Sequence, residues 1–94
     1  MRVRWTPVAA SDLEDIRDYV ELRFPAFARS TVKTIYSDIQ SLRRFPMRGR
    51  VGEIDGTREC WLAPLPYVVV YRVTDAAVEI LRIWHTSQDR RPKV

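Results

Sequence analysis

Apolar positions recur along this chain with two different periods, and each period predicts a different element. Over residues 7–22 and again over 25–42 they recur every three or four positions, which is typical of a helix with one buried stripe. Thr6 suits the N-cap of the first helix, and Pro7 and Pro25 suit the first turns of the two helices. The short link between them predicts an antiparallel helical hairpin.

The second half of the chain has the composition of β-strands. Residues 67–73 include four valines and two tyrosines, and a second such run, 78–84, follows the polar residues 74–76. These runs predict a β-hairpin, and residues 3–5 and 58–62 predict two further strands. The order β-α-α-β-β-β indicates an α+β fold in which the helical hairpin packs on one face of a mainly antiparallel, four-stranded sheet.

The last predicted strand holds two candidate functional side chains, Arg82 and the single histidine, His85. In a regular strand Ile80, Arg82 and Trp84 share one face, whereas His85 lies on the opposite face. We therefore expect Arg82 and His85 to act at one site only if the strand ends or bulges near Trp84.

The net charge of +4 is unevenly distributed: residues 1–42 carry six basic and six acidic side chains, whereas residues 43–94 carry ten and six. This excess predicts contact with phosphate or with an acidic protein surface. The candidate binding residues are Arg48, Arg50, Arg58, Arg82, Arg90 and Arg91.

Length and composition limit the other possibilities. A chain of 94 residues is expected to form a single domain over 1–94, in which 86–94 is a polar, basic tail. One cysteine, Cys60, excludes an internal disulfide, and one cysteine with one histidine cannot form an ordinary structural zinc site, so we expect no metal and no cofactor. No run is long and apolar enough to span a membrane, and we expect a cytoplasmic protein.

The chain resembles the RelE/ParE superfamily of bacterial toxins from type II toxin–antitoxin modules over nearly its whole length. The resemblance rests on the order and spacing of WTPVAASDLEDIRDYV, RRFPMRGRVGEIDGTRE, PYVVVYRV and EILRIWHTSQDR. It implies the small fold of that superfamily, an antitoxin partner and a hetero-oligomeric complex with that antitoxin.

The resemblance leaves three functions open. ParE-like members poison DNA gyrase without being enzymes, and we favour this function. RelE-like members cleave mRNA on the ribosome without a metal. For a nuclease, the resemblance assigns catalytic roles to Arg58, Arg82 and His85.

In that mechanism Glu53 or Glu59 is a possible base. Against it, Val68 stands where active nucleases often carry an arginine. The third function is that of a degenerate, non-toxic member that keeps antitoxin or nucleic-acid binding.

Overall fold

The computed structural model describes residues 1–88, so Arg90, Arg91 and the other residues of 89–94 in the predicted tail lie outside the described residues. Its elements are β1 (Arg2–Trp5), α1 (Pro7–Arg23), α2 (Pro25–Gln40), a 3₁₀ turn (Ser41–Arg43), β2 (Arg50–Val51), β3 (Arg58–Trp61), β4 (Tyr67–Val73) and β5 (Ala77–His85). Both predicted helices and all four predicted strands are present.

The first helix begins where the sequence predicts. The Thr6 hydroxyl oxygen accepts the backbone N–H of Ala9 at 3.2 Å, which satisfies one of the free donors of the first turn. The same hydroxyl donates to the carbonyl of Ile80 at 2.7 Å. Thr6 thus caps α1 and also fastens the start of the helix to β5.

The sheet has five strands, in the order β1-β5-β4-β3-β2, so the prediction of four strands was wrong by one. The extra strand is β2, whose Arg50 and Val51 pair antiparallel with Glu59 and Arg58. Two residues between Gly49 and Gly52 are too short a run to give a period-two signal. Only β1 is parallel to its neighbour, β5, so the sheet is mixed but mainly antiparallel.

The helical hairpin covers one face of this sheet, as predicted. Ile35 and Ile39 of α2 are fully buried, and they belong to one core cluster with Tyr71 of β4 and with Val78 and Ile80 of β5. This packing fixes which side chains of β4 and β5 face the helices. The strand register then determines which side chains lie together on the opposite face.

The final hairpin contains a β-bulge that changes the predicted faces of β5. Val70 pairs with Arg82 and Tyr71 with Ile80, which leaves Leu81 without a partner on β4. After the bulge Ile83 is buried in the helix-side core. The period-two prediction that Ile80 and Arg82 share a face was therefore wrong, and the irregularity lies at Leu81 rather than near Trp84.

Candidate functional site

The face of the sheet opposite the helices, which we call the open face, carries three of the predicted site residues, Arg50, Glu59 and Arg82. Cross-strand partners lie on the same face of a sheet, and the register places the following side chains there: Arg4 and Glu79, Arg72, Val70 and Arg82, Glu59 and Arg50, and Trp61, Val68 and Trp84. Val68 and Val70 are buried between these larger side chains. The open face is therefore rich in arginine and tryptophan over a small apolar layer.

Arg82 is held in place by a carboxylate from α1. Its Nε donates to Asp12 at 2.8 Å and its Nη2 at 3.3 Å, and Asp12 also accepts the backbone N–H of Ile83 at 2.9 Å. The guanidinium lies over the Trp84 ring, 4.3 Å from its centroid. Arg82 therefore has two structural partners in addition to any role in binding.

Sequence reasoning misses Asp12 as a site residue because it stands in an acidic run of α1, residues 12–21, and such a run is typical of a solvated helix face. Asp12 lies four residues before Ile16 and seven before Tyr19, which places it on the edge of the buried stripe. A carboxylate at such a position indicates a buried partner.

His85 ends β5 beside a cleft of about 490 Å³ that both Asp12 and Arg82 border. Its ring meets the edge of Tyr67 at a centroid distance of 5.6 Å. Nδ1 accepts the backbone N–H of Ser87 at 3.1 Å and lies 2.7 Å from the Ser87 hydroxyl. An acceptor at Nδ1 places the proton of the neutral ring on Nε2.

Arg58 is bound to the loop before β2. Its Nη1 donates to the Gly49 carbonyl at 2.7 Å. The buried Tyr71 hydroxyl accepts the Gly49 N–H and donates to the Pro46 carbonyl, both at 2.8 Å. Burial raises the pKa of Tyr71. A side chain at position 49 would place its Cβ 2.6 Å from that hydroxyl, so glycine is required there by space.

Glu59 is a buried acid with several partners. One carboxylate oxygen lies 3.4 Å from Arg50, and the other accepts the Glu53 backbone N–H at 3.2 Å. These contacts stabilise β2 and the loop after it. The Glu53 residue is exposed.

Arg48, Arg50 and Trp61 border a second cleft, of about 730 Å³, at the outer edge of β3, which we call the β3-edge cleft. Cys60 also borders it and is buried, and burial raises the pKa of its thiol. Of the six predicted binding arginines, two thus share one cleft, Arg82 borders the other and Arg58 is bound to a loop.

Among residues 1–88 no cluster of histidine, cysteine and acidic side chains has metal-binding geometry. The same part of the chain contains no helix that is long and apolar enough to cross a membrane.

A family model described as the ParE toxin of the type II toxin–antitoxin system parDE matches residues 3–90. The chain belongs to the ParE toxin family. Two relatives of this ParE family member, both named as toxins, match over 93% of this chain. Y4kP of Sinorhizobium fredii is 39% identical over 90% of its own length, and the toxin RelE2 of Caulobacter vibrioides is 37% identical over 97%.

Solved structures confirm the fold of the ParE family member. A chain of the chromosomal ParDE system from P. aeruginosa superposes with a TM-score of 0.85 at 31% identity, over 90% of this chain and 95% of the other. A chain of the RelBE2 toxin–antitoxin complex from Mycobacterium tuberculosis gives a TM-score of 0.58 at 25% identity, over 89% and 95%. The chain is a type II toxin with the α+β fold of the RelE/ParE superfamily.

Proposed function

We propose that this toxin arrests growth by poisoning DNA gyrase and that it is neutralised by direct binding of an antitoxin encoded beside it. The family match is to ParE toxins, and the fold lies closer to the ParDE chain, with a TM-score of 0.85, than to the RelBE2 chain, with 0.58. Gyrase poisoning is the activity that the resemblance to ParE implies.

The observation that carries the proposal is the separation of the residues that a nuclease would need. Arg58 pairs with Tyr71 of β4, and His85 pairs with Tyr67, four residues away along the same strand. Strand spacing and rise put the α-carbons of Arg58 and His85 about 16 Å apart. The Arg58 guanidinium is also bound to Gly49, on the far side of β3 from β5.

Two further candidates, Arg82 and Glu59, are held by structural contacts. The Arg82 guanidinium is bound to Asp12, and the Glu59 carboxylate is buried against Arg50 and the Glu53 N–H. RNA cleavage needs a base, an acid and a cation within hydrogen-bond reach of one phosphate. Bringing these groups to one phosphate would require breaking several of the described contacts, whereas a protein inhibitor requires no such convergence.

Cleavage of mRNA on the ribosome is the second candidate function. One observation favours it: a relative that is 37% identical over 93% of this chain is named toxin RelE2. The general acid is then the protonated His85 ring, which donates through Nε2–H after its Nδ1 gives up the contact with the Ser87 N–H, and Arg82 is the cation that binds the phosphate.

The partner is proposed from the same comparisons. The two solved relatives are described as a ParDE toxin–antitoxin system and a RelBE2 toxin–antitoxin complex. We infer a hetero-oligomer in which an antitoxin covers the toxin, and a cytoplasmic location, since gyrase and its DNA are found there.

The test is to induce the toxin and to follow the first response of the cell. A gyrase poison produces trapped gyrase–DNA complexes and DNA-damage induction, and His85→Ala retains most of its toxicity because no proton transfer is needed. Removing a general acid from a nuclease typically lowers the rate by roughly 100-fold to 10,000-fold. Transcript cleavage within ribosomes that disappears in His85→Ala would refute the gyrase proposal.

A further inference from the structure

The β3-edge cleft contains a segment of strand edge that the fold leaves open. In the β2–β3 ladder Gly52 donates to the Thr57 carbonyl, so the hydrogen-bonding positions of β3 toward β2 are residues 57, 59 and 61. At position 59 the backbone pairs with that of Arg50 in β2. Position 48, which would pair with Trp61, instead donates its N–H to Phe45.

Trp61 therefore directs its backbone N–H and C=O away from β4, with no backbone partner among residues 1–88. Its carbonyl has one weak contact, with the Cys60 thiol at 3.8 Å. Such a pair is the template on which an added strand forms.

At the other open edge of the sheet, on β5, side chains bond to the outward-facing backbone N–H groups. On β5, beyond the last residue that pairs with β1, the Ile83 N–H is bonded to Asp12 and the His85 N–H to the Gln88 side chain. Side chains thus block the β5 edge against an added strand, whereas the edge at Trp61 opens into a cleft.

The side chains around Trp61 indicate what that cleft would accept. The Trp61 ring is 61% exposed, yet its indole N–H is fixed by the Leu65 carbonyl at 2.9 Å. An exposed, immobilised tryptophan is typical of a binding surface, because little conformational entropy is lost when it is covered. Arg48 and Arg50 border the same cleft, and the Arg50 side chain is 70% exposed. The charge favours carboxylates on the ligand.

We propose that an extended, acidic segment of the antitoxin adds to β3 at Trp61, with its carboxylates beside Arg48 and Arg50. The inference rests on the proposed neutralisation by an antitoxin. The added strand makes two backbone hydrogen bonds with Trp61 and covers its ring.

Hydrogen exchange in the full complex tests this directly. We expect the Trp61 amide to exchange rapidly in the free toxin and at least about 100-fold more slowly in the complex with the antitoxin encoded beside the gene. The Cys60 amide, which faces β4, is the internal control and is slow in both states. Protection of the Trp61 amide by gyrase alone, or an unchanged rate in a neutralising complex, would overturn the inference.

Two pairs of variants distinguish the contribution of the backbone to antitoxin binding from that of the side chains. Trp61→Ala and Trp61→Pro both remove the ring, but only proline removes the outward N–H, at an edge where proline is tolerated. We expect Trp61→Pro to bind the antitoxin at least about 10-fold more weakly than Trp61→Ala, the effect of one lost hydrogen bond of about 1.4 kcal/mol. Arg48→Ala should weaken binding more than Arg29→Ala, a change on exposed α2.

Equal affinities within each pair would refute the added strand, and the exchange experiment decides the matter if Trp61→Pro does not fold. The two proposals fail in different ways. If the neighbouring gene product neither binds nor neutralises the toxin, the proposed function fails. If it does both while Trp61 stays unprotected, only the added strand fails.

Discussion

Asp12 gives the sharpest prediction for stability, because one carboxylate joins α1 to β5. It accepts hydrogen bonds from the Ile83 backbone N–H at 2.9 Å and from two nitrogens of Arg82 at 2.8 and 3.3 Å. Hydrogen bonds to a charged group are worth about 1.5–3 kcal/mol each, but the Arg82 contacts are discounted because that side chain is 40% exposed. We expect Asp12→Ala to lower the free energy of unfolding by about 2–3 kcal/mol.

For a domain of this size that loss corresponds to a Tm lower by about 10–20 °C. Asp12→Asn keeps an acceptor for Ile83 without the charge and should lose about 1 kcal/mol. Asp18→Ala is the matched control, because it makes the same change in helix propensity at an exposed position of α1. Urea denaturation measures all three variants. An Asp12→Ala protein no less stable than Asp18→Ala would refute the assignment of Asp12 as a link between helix and sheet.

Three further predictions concern buried or paired groups. Tyr71→Phe leaves the Gly49 N–H without its acceptor and should lower the free energy of unfolding by about 1–3 kcal/mol in urea. Since burial raises the pKa of Tyr71, stability should also fall as the pH rises from the ordinary value of about 10 toward the raised one. This loss should be smaller in Tyr71→Phe, in which Tyr67 and Cys60 keep their raised pKa values. The hydrogen bond from Arg4 lowers the pKa of Glu79. The stability that this pair contributes should therefore be present above the ordinary pKa of about 4.3 and be lost as the pH falls through the lowered pKa. Glu79→Gln should remove that part of the acid transition. Native Cys60 should react with a thiol reagent much more slowly than unfolded Cys60, because the buried thiol has a raised pKa; equal rates would contradict its burial.

The elements of this fold were predictable where one residue acts locally. Thr6 and Pro7 mark the start of α1 through a cap and a fixed backbone angle, and both act within one helical turn. The first five residues of β4, 67–71, are buried on both faces of the sheet, as their uninterrupted apolar pattern indicated.

The features that sequence reasoning missed depend on contacts between distant elements. Strand β2 exists because Arg50 pairs with Glu59, and two residues carry no periodic signal of their own. The bulge at Leu81 lies just beyond Ile80, the last partner of β1, and the next outward N–H, that of Ile83, is bonded to Asp12. Nothing within 78–84 differs from an ordinary strand, so the change of face could not be read there.

In the candidate site, too, local features were predictable and contacts between distant elements were not. Its residue types were predictable from charge and from the resemblance, and Arg48 and Arg50 do border one cleft. The partners of Arg58 and Arg82 are Gly49 and Asp12, 9 and 70 residues away, and only the packed fold brings them together.

The most direct test of the central proposal uses purified toxin, gyrase and supercoiled plasmid. We expect the toxin to accumulate cleaved plasmid covalently bound to gyrase, and we expect His85→Ala to do so to within a few-fold of the unmodified protein. Prior addition of the antitoxin should abolish the cleaved product. If gyrase is unaffected by the toxin, and ribosome-bound mRNA is instead cut by the unmodified protein but not by His85→Ala, the account is contradicted.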